Sequence, residues 1–205
     1  MEELKDFLKF YDENRARIKG FLDEFEKNPE DKQMFGELVF CLCTPQSKAK
    51  YCRVFVESIK SDNTIFSLNL EGFRRRMYGI RFSDRKAEFI IEARNKFPKI
   101  REKIRSNNPN LREWLIKNVK GLGMKESAHV LRNLGYKGVV MIDVHVQRFL
   151  RKMGFYNSEK KSLTKKQYEE LEQKFLGLSN RLKIPPEELD IAIWLYESGE
   201  KEFYG

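Results

Sequence analysis

Apolar residues recur along this chain at helical spacing. Leu4, Phe7, Leu8 and Tyr11 fall on one face of a first helix, and Ile18, Phe21, Leu22 and Phe25 repeat the spacing up to Asn28-Pro29. Residues 31–43 end in Leu38-Val39-Phe40-Cys41-Leu42, apolar on nearly every side, which predicts a buried central helix. Thr44-Pro45 breaks that pattern. Pro45 suits the first turn of a following helix, running to Ile59 with Tyr51, Cys52, Phe55 and Ile59 inward. A shorter helix is expected over residues 70–78, then a loop at Gly79-Ile80-Arg81-Phe82. Ser83 is placed as N-cap of a helix carrying Ala87, Ile90, Ile91 and Ala93. Asn110 with Glu113, and Thr164 with Gln167, have capping-box spacing. The first opens a helix through Trp114, Leu115 and Val119, the second one through Tyr168, Leu171 and Phe175. Pro185-Pro186-Glu187-Glu188 opens a last helix that ends near Gly199. Neither strand-like alternation nor a solenoid repeat is present, so about ten helices and an all-α fold are predicted.

Composition narrows this picture. The 205 residues suffice for a sizeable core, and 40% apolar content with 16 Phe excludes a disordered basic tail. The longest apolar run, residues 38–43, is far short of the ~20 residues of a membrane span. Met-Glu-Glu-Leu-Lys lacks the pattern of a signal peptide, so an intracellular protein of the cytoplasm or nucleoid is expected. Cys41, Cys43 and Cys52 are odd in number and form no CxxC pair, and there are two histidines. That argues against a disulfide framework and against zinc or iron–sulfur ligation; no metal and no cofactor are expected. Nothing resembles a coiled-coil seam, and a monomer is expected. A formal charge of +9 favours nucleic acid as a partner. The runs Arg74-Arg75-Arg76 and Lys160-Lys161 with Lys165-Lys166 suit a solvated face as well as a phosphate site.

The informative stretch is residues 116–131. Two helices flank Gly121-Leu122-Gly123, apolar residues stand at 116, 119, 122, 130 and 131, and small Ser127 sits four after the second glycine. This is a helix–hairpin–helix pattern. Its glycines permit a tight turn and close approach to another surface, and the next helix aims free N–H groups that suit a phosphate. Lys125 lies in that helix's first turn. The positive end of a helix disfavours an ammonium, which favours the neutral amine that a nucleophile must be. A lysine simply touching phosphate fits the same position. Val139-Val140-Met141-Ile142 then leads into Asp143 and Val144-His145. Asp143 fits a helix N-cap, and equally a carboxylate that stabilises a cationic transition state.

Gly-Leu-Gly-Met-Lys followed by Ile-Asp-Val-His resembles the helix–hairpin–helix DNA glycosylase superfamily. The stretch from Val119 to Tyr136 is most similar to the compact 8-oxoguanine DNA glycosylase/AP lyases, as are Arg81-Phe82 with residues 85–90, Leu189-Asp190 and Trp194-Leu195-Tyr196. The resemblance implies a two-lobed fold binding double-stranded DNA that contains oxidised guanine at the cleft between lobes. Residues 44–141 would form one lobe, with the hairpin at 111–135; residues 1–43 and 142–205 would form the other. It implies that Lys125 attacks C1′, displaces 8-oxoguanine and forms an imine, and that elimination then cuts the strand 3′ to the lesion. Asp143 would stabilise the oxocarbenium-like transition state. Gly121, Leu122 and Gly123 would hold the DNA backbone, with Na⁺ or K⁺ on the carbonyls of Lys117, Val119 and Leu122. Gln46 would fill the gap left by the extruded base, where the family more typically has Ala-Asn for Pro45-Gln46. Phe82 and Trp194 would stack that base, with Asp190 one turn before Trp194. His145 would reach the 5′ phosphate, and His129 would be structural. The iron–sulfur cysteines of endonuclease III relatives are missing, and the β-sheet domain of the larger enzymes has no room. The alternatives are a glycosylase for another oxidised base, a non-catalytic helix–hairpin–helix DNA-binding module, and a helical protein-interaction domain.

Overall fold

Eleven helices and no strands form among the described residues of the computed structural model, which are 2–25, 29–106, 108–157, 162–199 and 203. In chain order they are α1 (Glu2–Asp23), α2 (Asp31–Cys43), α3 (Ala49–Ser61), α4 (Leu70–Arg76), α5 (Ser83–Asn95), α6 (Phe97–Arg105), α7 (Leu111–Asn118), α8 (Met124–Asn133), α9 (Val144–Lys152), α10 (Lys165–Leu182) and α11 (Pro186–Ser198). None is long and apolar enough to cross a membrane. The chain divides into two compact units: Met1–Phe25 with Gly135–Phe203, and Glu26–Leu134.

The second unit is built around α2. Met34, Phe35 and every residue from Leu38 to Cys43 are buried, because α3, α5, α6 and α8 all pack against this helix. That packing moves the unit boundary. The 1–43 segment was expected to join the C-terminal lobe, but α2 belongs with α3–α8, and the junctions fall near residues 26 and 135 rather than 43 and 141. Glu37 is buried at the centre of α2. Its carboxylate accepts from Arg53 at 2.8 and 3.1 Å and from Asn133 at 2.8 Å, tying α3 and α8 to α2. Arg53 also lies 4.0 Å over the Phe40 ring.

In the first unit α1 runs unbroken, burying Phe7, Tyr11, Ile18 and Leu22 against α11. Phe7 packs its ring 4.6 Å from Phe149 of α9. Glu187 and Glu188 do more than suit the start of α11; both are buried. Glu188 accepts from the Tyr11 hydroxyl at 2.6 Å, and Glu187 from the Gly138 amide at 3.3 Å.

Several local expectations shift. Pro45 does not open a helix: α3 starts at Ala49, and residues 44–47 form a turn. Ser83 is already helical, and the N-cap position falls to Phe82. Asn110 is the N-cap of α7 but makes no side-chain cap bond; its own amide donates to Asn108 at 2.9 Å. Thr164 and Gln167 do close a capping box. Helix α6 was not anticipated, although Phe97, Ile100 and Ile104 give it an inward face and Pro98 suits its start. Each arginine of the 74–76 run pairs with an acid, Asp84, Glu71 and Asp62 respectively. Lys160-Lys161 lies outside the described residues.

Two outcomes follow. Glu37→Ala leaves Arg53 largely buried without its carboxylate, so stability should fall by about 3–5 kcal/mol, read from urea denaturation. Burial and the bond to Glu188 raise the Tyr11 pKa from 10.0 to about 12. The folded state therefore keeps a proton that the unfolded chain loses. Its stabilisation is complete below pH 10 and is lost between pH 10 and about 12. In Tyr11→Phe the Tm should decline less steeply across that window.

Candidate functional site

The hairpin is a joint between α7 and α8 whose tightness comes from the core beneath it. Gly121 has φ +94°, and a Cβ there would stand 2.5 Å from Phe89 Cδ2 and 3.0 Å from Leu42 Cδ2. A side chain is thus excluded by the protein's own interior. Leu122 turns its side chain into that core and offers only main chain outward. Gly123 is extended, at φ −101°, and precedes α8. Glu126 reaches back to accept from the Gly123 amide at 3.3 Å, while Ser127 Oγ donates to the Gly123 carbonyl at 2.7 Å. The carbonyl of Val119 accepts the Leu122 amide at 3.2 Å, closing the turn. His129 is buried edge-on to Phe40, at 5.5 Å between centroids.

Lys125 is the second residue of α8. The side chain is 35% exposed, and Nζ lies 3.8 Å from Glu126 Oε1. That is a loose, solvated pair of little energetic weight, so the amine is free to meet a substrate. Leading amides of a helix have no partner within it, so this end of α8 presents donors next to the amine.

Asp143, in the other unit, caps α9. One carboxylate oxygen, Oδ1, accepts from the amides of both His145 and Val146, at 2.8 and 2.9 Å. The cap leaves Oδ2 available for other work. Tyr168 of α10 holds the strand of chain that delivers Asp143. Its buried hydroxyl accepts the Ile142 amide at 2.9 Å and donates to the Val140 carbonyl at 3.2 Å. Sequence reasoning had placed Tyr168 only as an inward face of α10. His145 sits half-buried one residue into α9.

Gln46 and Phe82 occupy adjoining turns of the second unit. Both are exposed, and both are left-handed, at φ 56° and 58°. For residues with a Cβ that conformation costs about 1–3 kcal/mol each, so the surroundings must enforce it. The enforcing group is Lys86, which sequence reasoning passed over. Its Nζ donates to the carbonyls of Cys43 and Pro45, each at 2.7 Å, and to Ser47 Oγ at 3.0 Å. Ser47 Oγ in turn accepts the Arg81 amide at 3.0 Å, which links the two turns. Burial lowers the Lys86 pKa below the ordinary lysine value. A signal existed: Lys86 precedes Ala87, Ile90 and Ala93 on the inward face of α5.

Asp190 and Trp194 share α11 of the first unit. Asp190 is buried; Trp194 is half-buried and stacks on Phe203 at 6.4 Å. Phe203 also stacks on Phe21 at 4.2 Å, with Arg17 4.6 Å above its ring. Residues 200–202, 204 and 205 of the tail lie outside the described residues. Phe82 and Trp194, expected to serve one base pocket, come from different units. Cys41, Cys43 and Cys52 are buried thiols, and the described residues contain no cluster of His, Cys, Asp or Glu able to hold a metal ion.

Residues 15–184 match the sequence profile of a family described as 8-oxoguanine DNA glycosylase. The 8-oxoguanine DNA glycosylase/AP lyase of Korarchaeum cryptofilum is 40% identical over 190 residues, covering 91% of this chain and 90% of that protein. The protein of the same name from Fusobacterium nucleatum is 33% identical, covering 97% and 96%. Among solved structures, the Methanocaldococcus jannaschii 8-oxoguanine glycosylase/lyase in complex with 15mer DNA containing 8-oxoguanine superposes with a TM-score of 0.90. It is 28% identical, over 99% of this chain and all of that one.

Gly121→Ala should lower stability by about 1–3 kcal/mol, through overpacking against Phe89 and a strained φ. A thermal melt checks this; an unchanged Tm would mean that the turn relaxes freely.

Proposed function

The chain belongs to the 8-oxoguanine DNA glycosylase family, and from that membership we propose that it excises 8-oxoguanine from duplex DNA and then cleaves the strand as an AP lyase. The observation that carries this reading is Lys125, an accessible amine in the first turn of α8 directly after the glycine hairpin, in a chain matched over residues 15–184.

The chemistry follows from an amine at this place. The damaged nucleotide leaves the helix stack, at a cost of a few kcal/mol. Lys125 gives up a proton, and its Nζ forms a bond to C1′ as the bond from C1′ to the base breaks. The base departs with that electron pair and takes a proton. The sugar ring then opens to an imine between Nζ and C1′. Loss of a proton from C2′ drives out the 3′ phosphate oxygen, which breaks the strand, and water hydrolyses the imine to regenerate the amine. As the glycosidic bond breaks, positive charge builds on the sugar. The Asp143 carboxylate, with Oδ2 not taken up by the cap, supplies the opposing charge. The hairpin main chain at Gly121, Leu122 and Gly123 holds backbone phosphates, with an alkali cation on the carbonyls of Lys117, Val119 and Leu122, and His145 reaches the 5′ phosphate. Phe82, Trp194 and Asp190 receive the extruded base, while Gln46 enters the gap left in the duplex. The protein works as a monomer, in the cytoplasmic nucleoid where its substrate is, with no cofactor.

Borohydride trapping on a duplex with 8-oxoguanine opposite cytosine tests this. Wild type should give a covalent complex that Lys125→Ala abolishes. Trapping only on an abasic duplex would assign another lesion, and silence on both would leave a binding module. Asp143→Asn keeps a competent cap, so it should fold normally yet excise about 10²–10³-fold more slowly.

A further inference from the structure

Residues 139–143, which deliver Asp143, belong to no helix, yet Val140, Met141 and Ile142 are buried. Buried main chain outside a helix or sheet must find other partners for its N–H and C=O groups. Within the segment the Asp143 amide donates to the Met141 carbonyl at 2.9 Å, a tight bend just before α9. Two further groups, the Ile142 amide and the Val140 carbonyl, go to a single hydroxyl, that of Tyr168, 26 and 28 residues further along the chain. It accepts at 2.9 Å and donates at 3.2 Å, so it grips the chain on both sides of Met141. Tyr168 is itself held. It is buried in the first turn of α10, its amide donates to the Thr164 carbonyl at 2.9 Å, and the Thr164–Gln167 capping box closes that turn. The cap of α9 does not by itself aim Asp143. Two amides pin Oδ1, but a carboxylate has two equivalent oxygens, and the residue can swing about the pinned one as its main chain approaches from different directions. Residues 140–142 set that approach, and Tyr168 sets residues 140–142.

We propose that Tyr168 is a positioning residue for base excision, aiming the free oxygen of Asp143 through the main chain of residues 140–142, and that loss of its hydroxyl separates excision from Schiff-base chemistry. This rests on the reading above that Asp143 opposes the positive charge on the sugar. That charge builds only while the bond from C1′ to the base breaks. On an abasic duplex the bond is already gone. C1′ of the open sugar is an aldehyde carbon, the Lys125 amine adds to it, and water leaves as the imine forms. Imine formation there depends on Lys125 and not on where the Asp143 carboxylate stands.

The test sets single-turnover excision of 8-oxoguanine against borohydride trapping on an abasic duplex. It compares wild type, Tyr168→Phe, Asp143→Asn, the double variant Tyr168→Phe/Asp143→Asn, and Tyr11→Phe. The last is a matched control, because it removes another buried tyrosine hydroxyl of the same unit, bonded to Glu188 at 2.6 Å. Tyr168→Phe should slow excision by about tenfold, the weight of the lost hydrogen bonds, and leave abasic trapping unchanged. Tyr11→Phe should leave both unchanged. The double variant should match Asp143→Asn alone, since Tyr168 acts through that carboxylate. Thr164→Ala uncaps the turn that carries Tyr168 and should give the same split at smaller amplitude; it decides the matter if Tyr168→Phe does not fold. Excision and trapping that fall together, or an equal loss in Tyr11→Phe, would make Tyr168 merely structural and overturn the inference. So would excision that survives Tyr168→Phe, or a double variant slower than Asp143→Asn. In each of these cases excision by wild type still upholds the enzyme. Absence of wild-type excision would sink the proposed function itself, and the inference with it.

Discussion

Every helix end leaves backbone N–H and C=O groups without partners, and the eleven helices among the described residues, joined mostly by short turns, have many such ends to satisfy. The residues that meet this demand are the ones around which the functional surfaces form. Lys86 takes the last carbonyl of α2 and that of Pro45. Glu126 takes the amide that precedes α8, and Asp143 takes two amides of α9. Tyr168 satisfies both an amide and a carbonyl in the segment leading to Asp143. Were these bonds absent, the turns would have to open to water, and the groups they carry would lose their fixed places.

The same bonds explain why chemistry and structure share residues here. Asp143 caps with one oxygen and leaves the other outside the cap. Lys125 stands beside a hairpin whose tightness is set by Phe89 and Leu42 from below, so the amine is carried on a rigid element. Gln46 and Phe82 are strained because Lys86 and the Ser47–Arg81 bond outweigh the strain.

Charge acts at a longer range. The net excess of +9 draws the protein toward a polyanion. Yet the densest basic run, Arg74 to Arg76, is spent on Asp84, Glu71 and Asp62 within the molecule. Attraction toward a polyanion therefore rests on the overall balance of charge rather than on that run.

Local rules were legible in the chain alone: the helical class, the all-round burial of α2, the Thr164 cap, and the hairpin with its lysine and following aspartate. Each depends on neighbours within a turn or two, where periodicity, glycine and capping chemistry speak directly. Helix α6 was legible too, in Phe97, Ile100 and Ile104, but its short span hid it. What the tertiary structure alone decided involves residues far apart in sequence. It assigned α2 to the unit of α3–α8, because burial on every side needs partners on every side. It made Gly121 obligatory through Phe89, and it turned a lysine in the first turn of α5 into the clamp of two turns whose linked residues, Ser47 and Arg81, are 34 apart in sequence. A buried hydrogen bond is chosen by what the fold brings within reach, and no spacing along the chain encodes that.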